Sequence, residues 1–318
     1  MGGSMRDYLI RRVLLAIPTM LLVSLVVFSL IRLIPGDIAV LMVEDFKYAT
    51  DVGDLRHKLG LDQSLPVQYA QWVWQMLRGD FGESLWTRRT VVQELSLRFP
   101  VSAELGILAM IMSLSIALPV GVLSAIRQDT WADYVARTLA IIGLSMPNFW
   151  IATLVILAGS VLWNYSPALQ FVPFTRDPLG NLAQFAVPAA ILGLQSSAIT
   201  MRMTRAMMLE VLRQDYIRTA WAKGLRERAV IFRHALRNSL IPVVTVVGLQ
   251  VPVVLSGTVI LETIFGLPGM SRFVLEVIQN RDYPMLQAIN LVFAAVVIGA
   301  NLAVDALYGF LDPRIRFH

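Results

Sequence analysis

RDYLIRRVLLAIPTMLLVSLVVFSLIRLIPGD, residues 6–37, decides what kind of molecule this is. No residue between Val13 and Ile31 is charged. About 20 largely apolar residues suffice for a helix to cross the hydrocarbon core of a bilayer. The stretch begins on Arg6, Arg11 and Arg12, as a secretion signal would. Its apolar core is longer than a signal's and no small-residue cleavage site follows, so it reads as a retained span. The four residues ahead of Met5, Met-Gly-Gly-Ser, read as an expression-vector remnant and are kept out of fold reasoning.

The rest of the chain has the same character. Of its 318 residues 56% are hydrophobic and 15% charged, against about 25% charged in soluble proteins. Six stretches are long and apolar enough to span: 10–34, 100–126, 134–163, 184–206, 239–261 and 285–310. The predicted fold is therefore all-α, a polytopic membrane protein with six transmembrane helices. Residues 5–34 form the first helix, 35–99 a small extracytoplasmic subdomain, and 100–310 a core with five further helices. Residues 311–318 are a tail. The 35–99 region is too long for a bare loop and contains helix-like pieces such as LPVQYAQWVWQMLRGD.

Lysine and arginine set the orientation. Arg6, Arg11 and Arg12 flank the first span, and Arg127 and Arg137 the second loop. The segment 207–238 and its flanks carry Arg202, Arg205, Arg213, Arg218, Lys223, Arg226, Arg228, Arg233 and Arg237. Arg314 and Arg316 end the chain. Six spans put all four groups on one side, which predicts cytoplasmic N- and C-termini. The net charge of +5 then reflects basic loops facing the cytoplasm, and nucleic acid is not implied.

Several chemistries find no residues to carry them. There is no cysteine, and none of the histidines, His57, His234 and His318, lies in an apolar run. No metal site is predicted. None of the lysines, Lys47, Lys58 and Lys223, follows a glycine-rich loop, so ATP is not cradled by this chain. No catalytic constellation is visible, and none is predicted. A secondary carrier would call for charges at the membrane midplane, and Glu262 and Asp305, near span ends, read as carboxylates reaching the interface. A passive channel is harder to exclude from composition.

Polar and helix-bending residues do occur inside the spans. Ser145, Pro147 and Asn148 sit in GLSMPNFW, and Gln195 in GLQSSAIT. Thr245, Gly248, Pro252 and Ser256 recur at three- and four-residue spacing, hence on one helix face. Small residues favour close helix packing. The same residues suit a hydrated path, and Ser145, Asn148, Gln195, Thr245, Gly248, Pro252 and Ser256 are the candidates for lining one.

The basic segment stands apart. MMLEVLRQDYIRTAWAKG reads as a helix capped at Gly224, and LRERAVIFRHALRN as a second. Such an elbow suits docking of a soluble partner. A pump without an ATP site of its own needs one. Arg218-Thr219-Ala220, then Gly224 at the matching spacing, then His234-Ala235-Leu236-Arg237 resemble the coupling loop of ABC-importer permeases, whose pattern is E-A-A, three residues, glycine, nine residues, I-x-L-P. The missing glutamate and terminal proline fit one branch. RTAWAKGL and RHALRNSLIPVV resemble the peptide/nickel (dipeptide and oligopeptide) permease family. So do YLIRRVLLAIP, LIRLIPGD, LGLDQSLPVQYAQW, GDFGESL, GLSMPNFW, IFGLPGM, RDYPMLQ and DALYGFLDPRIRF. Ile38 and Ser64 stand where that family often has proline. The likeness covers nearly the whole chain and points to the first of the two permease subunits.

The resemblance implies a type I ABC importer permease fold in a bacterial or archaeal plasma membrane. It implies as partners a second homologous permease, two cytoplasmic ATPases that bind ATP and Mg, and an extracytoplasmic substrate-binding protein, with no cofactor in this chain. Cargo would be di- and oligopeptides. Nickel complexes, glutathione, opines or oligosaccharides are the alternatives. Coupling falls on Arg218, Thr219, Ala220, Lys223, Gly224 and Leu225. The 35–99 subdomain would meet the binding protein or line an external vestibule.

Overall fold

The computed structural model describes residues 5–32, 62–84, 86–168 and 170–311, with the side chains of 5–9, 31, 256–257 and 308–311 outside the description. Residues 1–4, the first part of the stretch expected as an outer subdomain (33–61) and the C-terminal residues 312–318 lie outside the described residues. Every regular element described is helical. In chain order they are α1 (Met5–Arg32), α2 (Leu65–Leu77), α3 (Val91–Ile126), α4 (Trp131–Ser145), α5 (Asn148–Trp163), α6 (Pro178–Leu212) and α7 (Asp215–Ala222). A π-helical stretch, Ala229–Leu236, runs into α8 (Arg237–Ile264), and α9 (Met270–Gln279) and α10 (Tyr283–Leu311) follow.

Five helical stretches are long and apolar enough to cross a membrane, and a sixth span exists if α4 and α5 count as one. The expected continuous span 134–163 is broken: α4 and α5 meet at 99°. Pro147 lacks an N–H and its ring disfavours helical backbone at the preceding residue, and Met146 is accordingly extended at φ −93°, ψ 124°. The second span begins earlier than its apolar run, at Val91, and the fifth is joined without a break to the π-helix ahead of it.

The chain divides into two compact units. The first holds residues 100–272, with 1–11 and 299–318. Its core gathers Val101, Leu105 and Ala109 of α3, Ala152 of α5, Phe185, Ala189 and Leu192 of α6, and Val254 and Leu261 of α8. Between helices already in lipid, such contacts act through close packing and hydrogen bonds, because hydrocarbon tails are as apolar as leucine. Helix α6 begins on Asp177, whose carboxylate accepts the Gly180 N–H at 3.0 Å, with Pro178 next, the residue types favoured at a helix start.

The second unit holds residues 12–99 and 273–298. Here α2 lies along the C-terminal half of α1, with the Tyr69 and Ser24 hydroxyls 2.8 Å apart. The Arg98 guanidinium donates to Glu94 at 2.9 Å and stacks 3.7 Å over the Phe273 ring. The Ser84 hydroxyl donates to buried Asp282.

Candidate functional site

The basic segment folds as a two-armed elbow. Its first arm, α7, is only eight residues long, too short to be stable alone in water. It is held by packing. Ile217 and Ala220, three apart and so on one face, enter a cluster with Val122 and Ala125 of α3, Met208 of α6, and Val230, Ile231 and Ala235 of the π-helix. The arm ends as the glycine predicts. Gly224 adopts φ +74°, a region that costs other residues strain. The Gly224 N–H donates to the Trp221 carbonyl at 2.9 Å and the Leu225 N–H to the Ala220 carbonyl at 3.3 Å, the paired bonds of a Schellman cap.

The sequence predicts one helix from 207 to Gly224. The structure ends α6 at Leu212, turns at Arg213 and Gln214, and restarts at Asp215, whose carboxylate sits where the helix dipole favours an acid. The second arm is the π-helix, a rare geometry frequent at functional sites. The Asn238 amide, in the first turn of α8, donates to the Tyr216 hydroxyl at 2.8 Å and ties α7 to the rod that the second arm continues into.

The six residues expected to couple divide by exposure. Arg218, Thr219, Lys223, Gly224 and Leu225 face solvent, whereas Ala220 is buried and seats the arm. Arg218 lies 3.4 Å from Asp215, but both are well exposed, so the pair adds little stability. Tyr216, Trp221 and Phe232 are also exposed. Their signal in the sequence was an aromatic among charges, which reads as buried or as exposed until the helix phase is known.

Above the elbow seat lies a polar knot that sequence reasoning missed. Asp133 is fully buried. The Arg205 guanidinium grips it with two bonds, Nε to Oδ1 at 2.8 Å and Nη2 to Oδ2 at 2.6 Å. The Ser124 hydroxyl and the Asp129 N–H also donate to it. Planar two-point pairing of this kind is the strong form of an ion pair. By sequence alone Arg205 reads only as an orientation charge. Here it joins α6 to α4 and, through Ser124, to α3.

At the other end of the same unit Glu262 does not reach the interface. It is fully buried. It accepts the Ser102 hydroxyl at 2.5 Å and the Arg272 N–H at 2.7 Å, while the Ser102 oxygen accepts the Met270 N–H at 2.8 Å. The carboxylate thus satisfies the start of α9, where N–H groups lack helical partners. Near it a cleft of about 310 Å³ is lined by Tyr165, Phe171, Gln184 and Phe265. Burial pushes the Tyr165 phenol above its ordinary value, and the Gln184 amide is spent on the backbone of Val172 and Gln170.

The path candidates are not brought to one place. Ser145 is exposed and donates back to the Ile141 carbonyl at 2.9 Å, and half-buried Asn148 lies across the α4–α5 break. Gln195 and Thr245 are half-buried, and Pro252 is exposed. Gly248 is buried, and a side chain there would run into Val304 of α10, so it serves helix packing. The Ser256 side chain lies outside the described residues. A polar pair among these helices that was not anticipated is Gln250, whose amide donates to Thr200 at 2.7 Å.

Comparison with known proteins gives this arrangement its context. Residues 117–317 match the family described as "Binding-protein-dependent transport system inner membrane component", and 5–106 match that family's N-terminal component. The chain belongs to this family. It is a membrane component of a binding-protein-dependent transport system, and the elbow, α6 and α8 all fall within the matched region. The dipeptide transport system permease protein DppB of Escherichia coli K12 is 40% identical over 336 aligned positions, covering 98% of this chain and 99% of the relative. DppB of Alkalihalophilus pseudofirmus is 38% identical over 339 positions, at 98% and 100% coverage. A Brucella abortus (strain 2308) protein, named provisionally as a peptide transport system permease, is 39% identical over 313 positions, at 98% and 100%.

Proposed function

We propose that this chain is one of two permease subunits of an ATP-driven importer of di- or oligopeptides, and that residues 213–238 dock a cytoplasmic ATPase. The chain itself performs no catalysis and holds no cofactor. ATP and Mg belong to two partner ATPases, and cargo arrives from an extracytoplasmic substrate-binding protein. Both termini lie in the cytoplasm. The peptide assignment is supported by the names of relatives matched along nearly their whole length.

The observation that carries the reading is the elbow. It presents Arg218, Thr219, Lys223 and Leu225 outward while Ile217 and Ala220 are sunk among α3, α6 and the π-helix. A push on the exposed crown is therefore delivered into packed helices, which have discrete arrangements and do not deform smoothly. Gly224 supplies the one backbone turn that this requires.

The test is Leu225→Asp in the reconstituted complex. Leu225 is 38% exposed, so the change leaves the fold and puts a desolvated charge into the docked interface. Loss of transport and of substrate-stimulated ATP hydrolysis, by tenfold or more, is the expected outcome, with assembled complex still recovered. Full stimulated hydrolysis in that variant sinks the docking role. Ligand binding by the cognate receptor, scanned over peptides, nickel complexes, glutathione, opines and oligosaccharides, tests the cargo separately.

A further inference from the structure

Helix α2 belongs to a region that the sequence assigns to a small extracytoplasmic subdomain. Its contacts are with the first apolar span. The Tyr69 hydroxyl is 2.8 Å from the Ser24 hydroxyl and 3.4 Å from the Leu21 carbonyl, and the Tyr69 and Trp72 rings lie 5.2 and 5.7 Å from the Phe28 ring. Arg32 Nε donates to Gln68 at 2.9 Å. These partners belong to, or immediately follow, the apolar span Ile10–Leu30. At 1.5 Å of rise per residue Leu21 lies about 14 Å inside the Leu30 end of that span, so the Tyr69 hydroxyl meets α1 well inside its apolar stretch.

The rest of α2 is consistent with that position. At 100° per residue it has three faces. Gln68, Tyr69 and Trp72 point at α1. On one flank are Val67, Trp74 and Leu77, exposed at 44%, 57% and 75%. On the other flank Gln71, Gln75 and Arg78 are exposed and wholly polar. A helix surrounded by water has no reason to sort its exposed residues into an apolar and a polar flank. A helix lying in a membrane interface does: one flank meets acyl chains, the other meets water. Tryptophan and arginine are the residues of that boundary, and Arg78 folds back to lie 4.7 Å over the Trp74 ring. The α1 surface alongside is of the same kind, with Leu22, Leu25 and Leu30 exposed.

We propose that α2 is an interfacial membrane helix. It is sunk in the lipid leaflet around the C-terminal half of α1, with Val67, Trp74 and Leu77 against acyl chains and Gln71 and Gln75 toward water. Its occupant is lipid, because the attachment to Leu21, Ser24 and Phe28 fixes its depth in the span. The inference does not depend on cargo or on ATPase docking. The outer-subdomain role then falls to residues other than α2, which serves as an anchor in the leaflet.

The absence of cysteine makes the test clean. Single nitroxide labels go at Val67→Cys, Trp74→Cys, Leu77→Cys, Gln71→Cys and Gln75→Cys in the full chain. Each variant is reconstituted with its co-purifying subunits into phosphatidylethanolamine/phosphatidylglycerol vesicles, and the signal of an unmutated sample is subtracted. The expected result is faster collision with oxygen than with a water-soluble nickel chelate at 67, 74 and 77, and the reverse at 71 and 75. Chelate-dominated collision at all five sites overturns the proposal and returns α2 to water. Protection from both reagents at 67, 74 and 77 also overturns it, since a protein partner would then cover the flank. Leu77, at the helix end and most exposed, keeps the test decisive should the Trp74 variant fail to assemble.

Discussion

Asp133 and Glu262 are both fully buried carboxylates in the same unit, and they are satisfied in different ways. Asp133 meets a full opposite charge, held at two points by Arg205 and helped by Ser124 and Asp129. Glu262 is held by a serine hydroxyl and a backbone N–H. The first solution joins three helices near the elbow by a charge pair. The second spends a carboxylate on the orphan donors of one helix start. Burial alone therefore does not indicate how much a carboxylate's surroundings depend on it.

The contrast can be broken by deletion. Arg205→Met leaves Asp133 buried without its cation, at a cost of roughly 3 kcal/mol, the lower end for such pairs because Arg205 keeps some contact with water. Denaturation by SDS in mixed micelles measures it. Adding Asp133→Asn should restore much of the loss, since the uncompensated charge is gone. A loss no greater than that of the next variant would erase the distinction. Ser102→Ala removes one bond to Glu262 and frees the Met270 N–H, for about 1–2 kcal/mol by the same assay. At the bottom of the scale stands a neutral pair. Thr200→Val removes the acceptor of the Gln250 amide, and intramembrane bonds of this kind average about 0.6 kcal/mol. A larger effect there would mean that neutral pairs, not charges, order this core.

Much of this architecture was legible before any coordinates. The spans follow from apolar length, the cap at Gly224 from glycine after a helical run, and the family from motifs in order. The knots were not legible, for physical reasons. Asp133 and Arg205 are 72 positions apart, and each sits beside an apolar run where a charge reads as an interface residue. Glu262 reads the same way until the chain brings Ser102 and the Arg272 N–H to it. Pro147 announced a bend, but its size, 99°, depends on how α4 and α5 pack. The π-helix has no compositional mark, because the same residues would make an α-helix. The apolar flank of α2 is present in LPVQYAQWVWQMLRGD, hidden by its place in a mixed-charge stretch of sequence.

The join between the π-helix and α8 has a mechanical consequence. Residues 229–264 form one rod with no loop in it, roughly 50 Å long at helical rise. One end is gripped by α7, and the other carries Glu262. A tilt of about 10° around the gripped end would carry the far end roughly 9 Å sideways. Pro242 and Pro252, inside α8, are the points where such a lever would bend first. Any gearing between a small movement at the elbow and a larger one at the Glu262 end would be set by how stiff those two prolines leave the rod.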